Sequence, residues 1–153
     1  MNKCHTLAIA MLPDTLHQLP RTERFAYAKL LAVMARANDE LTVEEMATFE
    51  QRLGTALLSP EQRNQIRAYL KSPPTLEECL TGLGHEAGRL AVRDSVMMAA
   101  ADGNVDKKEK KLLKKIANYF DMQDDAIDRL LEWTAEGYAW MQSGVELLNE
   151  LSK

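Results

Sequence analysis

A chain of 153 residues with 46% apolar and 27% charged residues has the balance of a single globular domain spanning 1–153, long enough to bury a core. Its net charge of −4 argues against a wholly basic binder, and no nucleic acid is expected among its partners. Two cysteines, Cys4 and Cys79, make neither a disulfide framework nor a CxxC pair, which fits a reducing compartment.

The run Leu7–Leu12 follows Lys3, but six apolar residues make a poor signal-peptide core and Pro13-Asp14 ends them. No stretch stays uncharged for the roughly 18 residues that a membrane span needs, so a cytoplasmic protein is expected. Asn2 to Leu19 reads as a short amphipathic helix interrupted at Pro13. His5 and His17 within it are isolated imidazoles with no second ligand at helical spacing.

The first long helix is expected from about Thr22 to Ala37, apolar nearly all round and therefore central. Asn38 to Leu41 is a loop, and Thr42-x-x-Glu45 is a capping box whose side chains satisfy free amides of the next helix's first turn. That helix buries Met46, Phe49 and Leu53, with Gly54 as its stop signal. Ser59-Pro60-Glu61-Gln62 opens a helix that turns Ile66, Tyr69 and Leu70 inward; proline suits the first helical position, where an N–H has no partner. Ser72-Pro73-Pro74 breaks the chain, and Thr75-x-x-Glu78 restarts it.

Gly82-Leu83-Gly84-His85-Glu86-Ala87 matches the GxGxxA form of a dinucleotide fingerprint. The fingerprint works only after a strand, and no strand pattern occurs here, so the glycines mark a bend between helices. A second nearly all-apolar helix follows, about Glu86 to Ala101, with Asp94 as its one central acid. Asp106-x-x-Glu109 then caps a helix with Leu112, Leu113, Ile116 and Phe120 on one face and six lysines, Lys107 to Lys115, over the rest. These lysines form either a solvated face or a phosphate-binding one, and so close to the acidic turn they weaken any cation site there.

After the acidic connector Asp121 to Asp125, a last helical region covers about 125–151. Ile127, Leu131, Thr134, Tyr138, Met141, Val145 and Leu148 form a helical seam, with Trp133, Trp140 and Leu147 in a row beside it. Gly137 and Gly144 are candidate bends, and Ser143-x-x-Glu146 a candidate restart. Both rows are expected to pack on the domain core; the alternative is a protein-interaction or homodimer groove anchored by the tryptophans.

Met34 to Glu45 aligns with Met98 to Glu109 at a constant offset that sets Asn38 on Asp102. Met, two alanines and the final glutamate coincide, Leu41 falls on Val105, and the two caps align. The expected fold is all-α: about seven helices built on a duplicated helix–acidic turn–helix unit, with copies at about 22–58 and 86–122. Asp102-Gly103-Asn104-Val105-Asp106-x-x-Glu109 reads like the second half of an EF-hand loop, while Met98 and Ala100 stand where its first acids would be. One such turn lacks the six to eight oxygens that calcium takes. A shared cation site would therefore combine Asp102, Asp106 and Glu109 with Asp39, Glu40 and Glu45; otherwise these residues only cap and end helices.

Ala101-Asp102-Gly103-x-Val105-x-x-x-Glu109, after an alanine-rich helix and before Ile116-Ala117, resembles the second motif of the TerB-like tellurite-resistance family, over roughly Phe25 to Asp128. The resemblance implies pseudo-duplicated helices and acidic turns that bind a metal ion. It also implies a stress-response role without established catalysis, in some members coupled to membrane-associated partners. The family's Asp-Gly falls on Asp102-Gly103 and its Glu on Glu109. In the first copy Asn38-Asp39 replaces Asp-Gly, while Glu45 matches.

The functional expectation is a non-enzymatic module binding a weak divalent cation (calcium, magnesium, manganese or zinc) or a protein partner, with possible contact to a membrane-associated complex. No nucleophile–base pair is evident. Paired acids such as Asp94 and Asp102 lie two turns apart on one helix and could meet, but acids on a helix face are common.

Overall fold

The computed structural model describes residues 14–38 and 40–152. Among them lie a 3-10 turn at Leu16–Gln18 and seven α-helices: α1 (Arg21–Ala35), α2 (Val43–Thr55), α3 (Pro60–Tyr69), α4 (Leu76–Thr81), α5 (His85–Ala99), α6 (Lys107–Tyr119) and α7 (Ala126–Leu151). The described residues contain no strand, and the bend at Gly82–Gly84 joins α4 to α5, so the dinucleotide motif has no scaffold. The expected N-terminal helix falls mostly outside the described residues, with His5 and Cys4; its visible end is the 3-10 turn, which buries Leu16.

The four expected capping boxes, at Thr42, Ser59, Thr75 and Asp106, each form both of their bonds. At the first, Thr42 N–H donates to Glu45 Oε2 at 3.0 Å and Glu45 N–H donates to Thr42 Oγ1 at 3.2 Å. Helix α2 does not stop at Gly54. The glycine stays helical, and the chain turns at Leu57, whose φ of 51° is a left-handed conformation that L-residues adopt at a cost.

Helix α1 is central because its apolar faces are covered from several sides. It packs most extensively on α5, the first helix of the second copy, and also on α2, α3 and α4. Leu30, Leu31, Val92 and Val96 lie in one continuous core that also takes Phe49 from α2 and Leu113, Ile116 and Phe120 from the α6 region. At Gly88 the helix must come so close to the Phe120 ring that an added Cβ would lie 2.2 Å from Phe120 Cε1.

A charged network runs through this core. Asp94 has no solvent exposure. Its carboxylate accepts from Tyr27 Oη at 2.5 Å, Arg93 Nε at 2.7 Å and Arg52 Nη2 at 3.1 Å. Asp14, beside the 3-10 turn, pairs with both arginines, at 2.5 Å from Arg93 Nη2. One network thus joins the N-terminal segment to α1, α2 and α5. Burial raises the Asp14 pKa, but bonds and charge from Arg93 and Arg52 outweigh it and hold that carboxyl below the usual range. For Tyr27, burial and the neighbouring Asp94 push the phenol well above its ordinary value, so it stays a neutral donor.

Helix α7 departs from expectation. It runs unbroken through Gly137, Ser143 and Gly144, and the Ser143 hydroxyl donates to the Trp140 carbonyl at 2.6 Å instead of capping a new helix. Its two apolar rows pack on the core only at their start, through Ile127 and Leu131. Only Ile127 and Thr134 are buried, whereas Trp140 is 73% exposed and every residue from Ala135 to Ser152 is exposed. The reason is length: 26 residues reach about 39 Å, far past the 15- and 13-residue helices α5 and α6 on which α7 packs.

The buried acid and the close approach at Gly88 both have measurable consequences. Asp94→Asn should cost about 3–5 kcal/mol in urea unfolding, because the buried Arg52 and half-buried Arg93 are left with one carboxylate between them. Gly88→Ala should lower stability by about 1–3 kcal/mol by overpacking Phe120, outweighing the roughly 1 kcal/mol by which alanine favours a helix. A thermal melt at or above the wild-type midpoint would contradict the Gly88 clash.

Candidate functional site: an acidic cleft between the repeated turns

Because α1 packs on α5, the turns that follow them open onto one cleft of about 490 Å³. The first copy contributes Asn38, Glu40, Thr42 and Glu45, and the second Asp102, Asn104, Asp106 and Glu109. The duplication seen in the sequence therefore has a spatial result, since the equivalent acids of the two copies share a pocket.

Each turn is built by short-range bonds. In the second copy, Gly103 takes φ +82°, a conformation glycine reaches without a Cβ penalty. Asn104 N–H donates to Asp102 Oδ1 at 2.9 Å, closing an Asx turn that fixes the Asp102 side chain. Val105 is partly buried against the core, as is its counterpart Leu41, and these two residues anchor the turns. Lys108 N–H donates to Asp106 Oδ1 at 2.5 Å, and Asp106 N–H to Glu109 Oε2 at 3.1 Å.

Glu45 and Glu109 are the inner pair, each only 5% exposed. Each gives its Oε2 to its own helix cap. The Glu109 pKa is raised, first by burial and then by the charges of Glu45 and Asp106; the Asp106 N–H and the Asn38 side chain act against the shift. Asn38, the counterpart of Asp102 in the first copy, therefore sits as a neutral group beside Glu109 rather than as a further negative charge.

Of the expected site residues, Glu40, Glu45, Asp102, Asp106 and Glu109 all border the cleft, and Asp39 lies outside the described residues. Lys108 lies at the same cleft, while Lys110 is turned to Asp128 at 2.6 Å. Asp94 and Asp102 do not form a working pair: Asp94 is enclosed by Tyr27, Arg52 and Arg93, and Asp102 is exposed in the cleft. The buried network is what sequence reading missed. Its one visible signal is an acid in the middle of an apolar helix, and nothing local marks Arg52, Tyr27 or Asp14 as its partners.

The cleft's side chains fit a hard cation in kind, since all the acids offer oxygen and two are buried and mutually repelling. They do not form a closed cage: among the described residues, no three His, Cys, Asp or Glu side chains are gathered closely enough to hold a metal ion. Among the described residues, no helix is long and apolar enough to cross a membrane.

Comparison with curated proteins and with solved structures finds no match in either. A family model described as "Tellurite resistance protein TerB" matches residues 24–132, from early α1 into α7, and so takes in both turns, the cleft and the core beneath it. All-helical, duplicated about an acidic cleft and matched over well more than half its length, the chain belongs to the TerB tellurite-resistance family.

Proposed function

We propose that the chain is a non-catalytic module of a tellurite-type stress response, working in the cytoplasm, whose acidic cleft takes a divalent cation weakly. The observation that carries this reading is the convergence of Glu45 and Glu109, two buried carboxylates from the two copies, on one cleft. A cation between them would relieve a repulsion that folding itself creates, since each glutamate is held inward by its own cap.

The residues that would hold the ion are Glu45 and Glu109 through the oxygens their caps do not use, with Asp102, Asp106 and Glu40 drawn in from the rim. An all-oxygen set favours calcium, magnesium or manganese over zinc, which takes nitrogen and sulfur more readily. Affinity is modest because the ligands must move inward to complete the shell and because Lys108 stands at the cleft.

The test is a thermal melt with each metal in turn. With a dissociation constant near 1 mM, 10 mM ion stabilises by about 1.4 kcal/mol, or about 3–6 °C for a domain this size. Glu109→Gln should keep its cap, because glutamine serves equally in a capping box, while losing the metal-dependent shift. No shift at 10 mM in the wild type, or an equal shift in the variant, would defeat the proposal.

The pH dependence has a definite sign. Glu109 titrates above its unfolded value, so folding favours its protonated form and its own contribution to stability declines as pH rises through that window. A cation binds the ionised form. The metal-induced shift should therefore be largest at neutral pH and shrink as pH falls below the raised Glu109 pKa, as read from melts at several pH values.

A further inference from the structure

We infer that the outer half of α7 is a self-association surface, on which α7 of a second copy of this chain lies antiparallel. From Ala135 to Ser152 every residue is exposed, and among the described residues the one hydrogen bond from this stretch to the rest of the domain is a long 3.5 Å one from Tyr138 Oη to the Met97 carbonyl. A 17-residue helical stretch with two interior glycines and so little tertiary support is marginal in water, so its stability calls for cover.

The face it presents is continuous. Tyr138, Met141, Val145 and Leu148 extend the buried seam of Ile127 and Thr134, and Trp133, Trp140 and Leu147 form the parallel row. Gly137 and Gly144 lie between the two rows. A Cβ at either glycine would meet nothing within 4 Å, so neither is demanded by packing within one chain. Together they make a shallow groove in the middle of an apolar face, where another helix backbone can approach closely. The acids Glu132, Glu146 and Glu150 fall on the opposite flank at helical spacing, and Glu136 borders the tryptophan row at its edge.

A second copy is the occupant that the dimensions favour. A two-fold axis through the midpoint of Trp140 and Met141 sets Gly137 of one copy on Gly144 of the other, and Trp133 against Leu148. Antiparallel alignment also opposes the helix dipoles. Eight large apolar side chains are 45–73% exposed here. At roughly 100 Å² each, pairing buries on the order of 800 Å² per copy, the area of a standard stable interface. The chain's own residues 1–13 are a poorer fit, because their one apolar run, Leu7–Leu12, offers six residues, two of them alanine, to cover eight large apolar side chains.

Analytical ultracentrifugation of the full chain should show a dimer at micromolar concentration, and Trp140→Glu should make it monomeric with the domain's unfolding transition retained. Gly144→Leu separates seating from stickiness. It adds apolar surface and helix propensity, yet it should weaken the dimer more than about 10-fold by filling the groove. Tighter association in Gly144→Leu would overturn the proposal, as would a wild type that stays monomeric at about 100 µM. So would a chain that dimerises only after residues 1–13 are removed, since the face would then belong to that segment.

Discussion

A carboxylate with no access to water is costly unless its charge is matched and its lone pairs are bonded, and Asp94 is such a group. Its compensation comes from Tyr27 on α1, Arg52 on α2 and Arg93 on its own helix, with Asp14 bridging the two arginines from outside the bundle. The network is a constraint as much as a source of stability. Its members are far apart in sequence, and their bonds are satisfied together only when α1, α2 and α5 take one relative arrangement. That arrangement is what brings the ends of α1 and α5 to the same cleft.

The cleft shows how a duplication can turn a local device into a shared site. Each capping glutamate is explained within four residues, since it bonds the amide of its own N-cap. Once the two copies pack together, both carboxylates become buried neighbours, and the repulsion between them belongs to neither copy alone. The raised Glu109 pKa records this, and the neutral Asn38 moderates it. Where the second copy has Asp102, the first has the neutral Asn38, which lowers the negative charge of the cleft without removing a capping bond.

Helix α7 has two halves with different environments. Its first turns complete the core through Ile127, with Leu130 and Leu131 packed against it, while its second half carries a similar apolar density into solvent. Periodicity marks an apolar face but not what covers it, so the Trp133–Trp140 row reads the same in the sequence whether it is core or interface. Gly54 and Leu57 give a smaller case of the same kind. The residue best suited to end α2 stays helical, and the turn falls on a leucine because the following capped helix must start at Ser59.

Local chemistry determined the helices and their starts. The four capping boxes, the Pro60 start, the Pro73-Pro74 break and the oxygen-rich turn at Asp102 are all short-range, and each is legible in the sequence by itself. The duplication is legible too, and with it the list of acids that border the cleft. Tertiary structure alone decided that those acids meet, that Asp94 is enclosed by partners from three helices, and that α7 outruns the domain it packs on. The physical reason is range: a cap is satisfied within three residues of chain, whereas burial, like-charge repulsion and the covering of an apolar face depend on which distant segments share the same space.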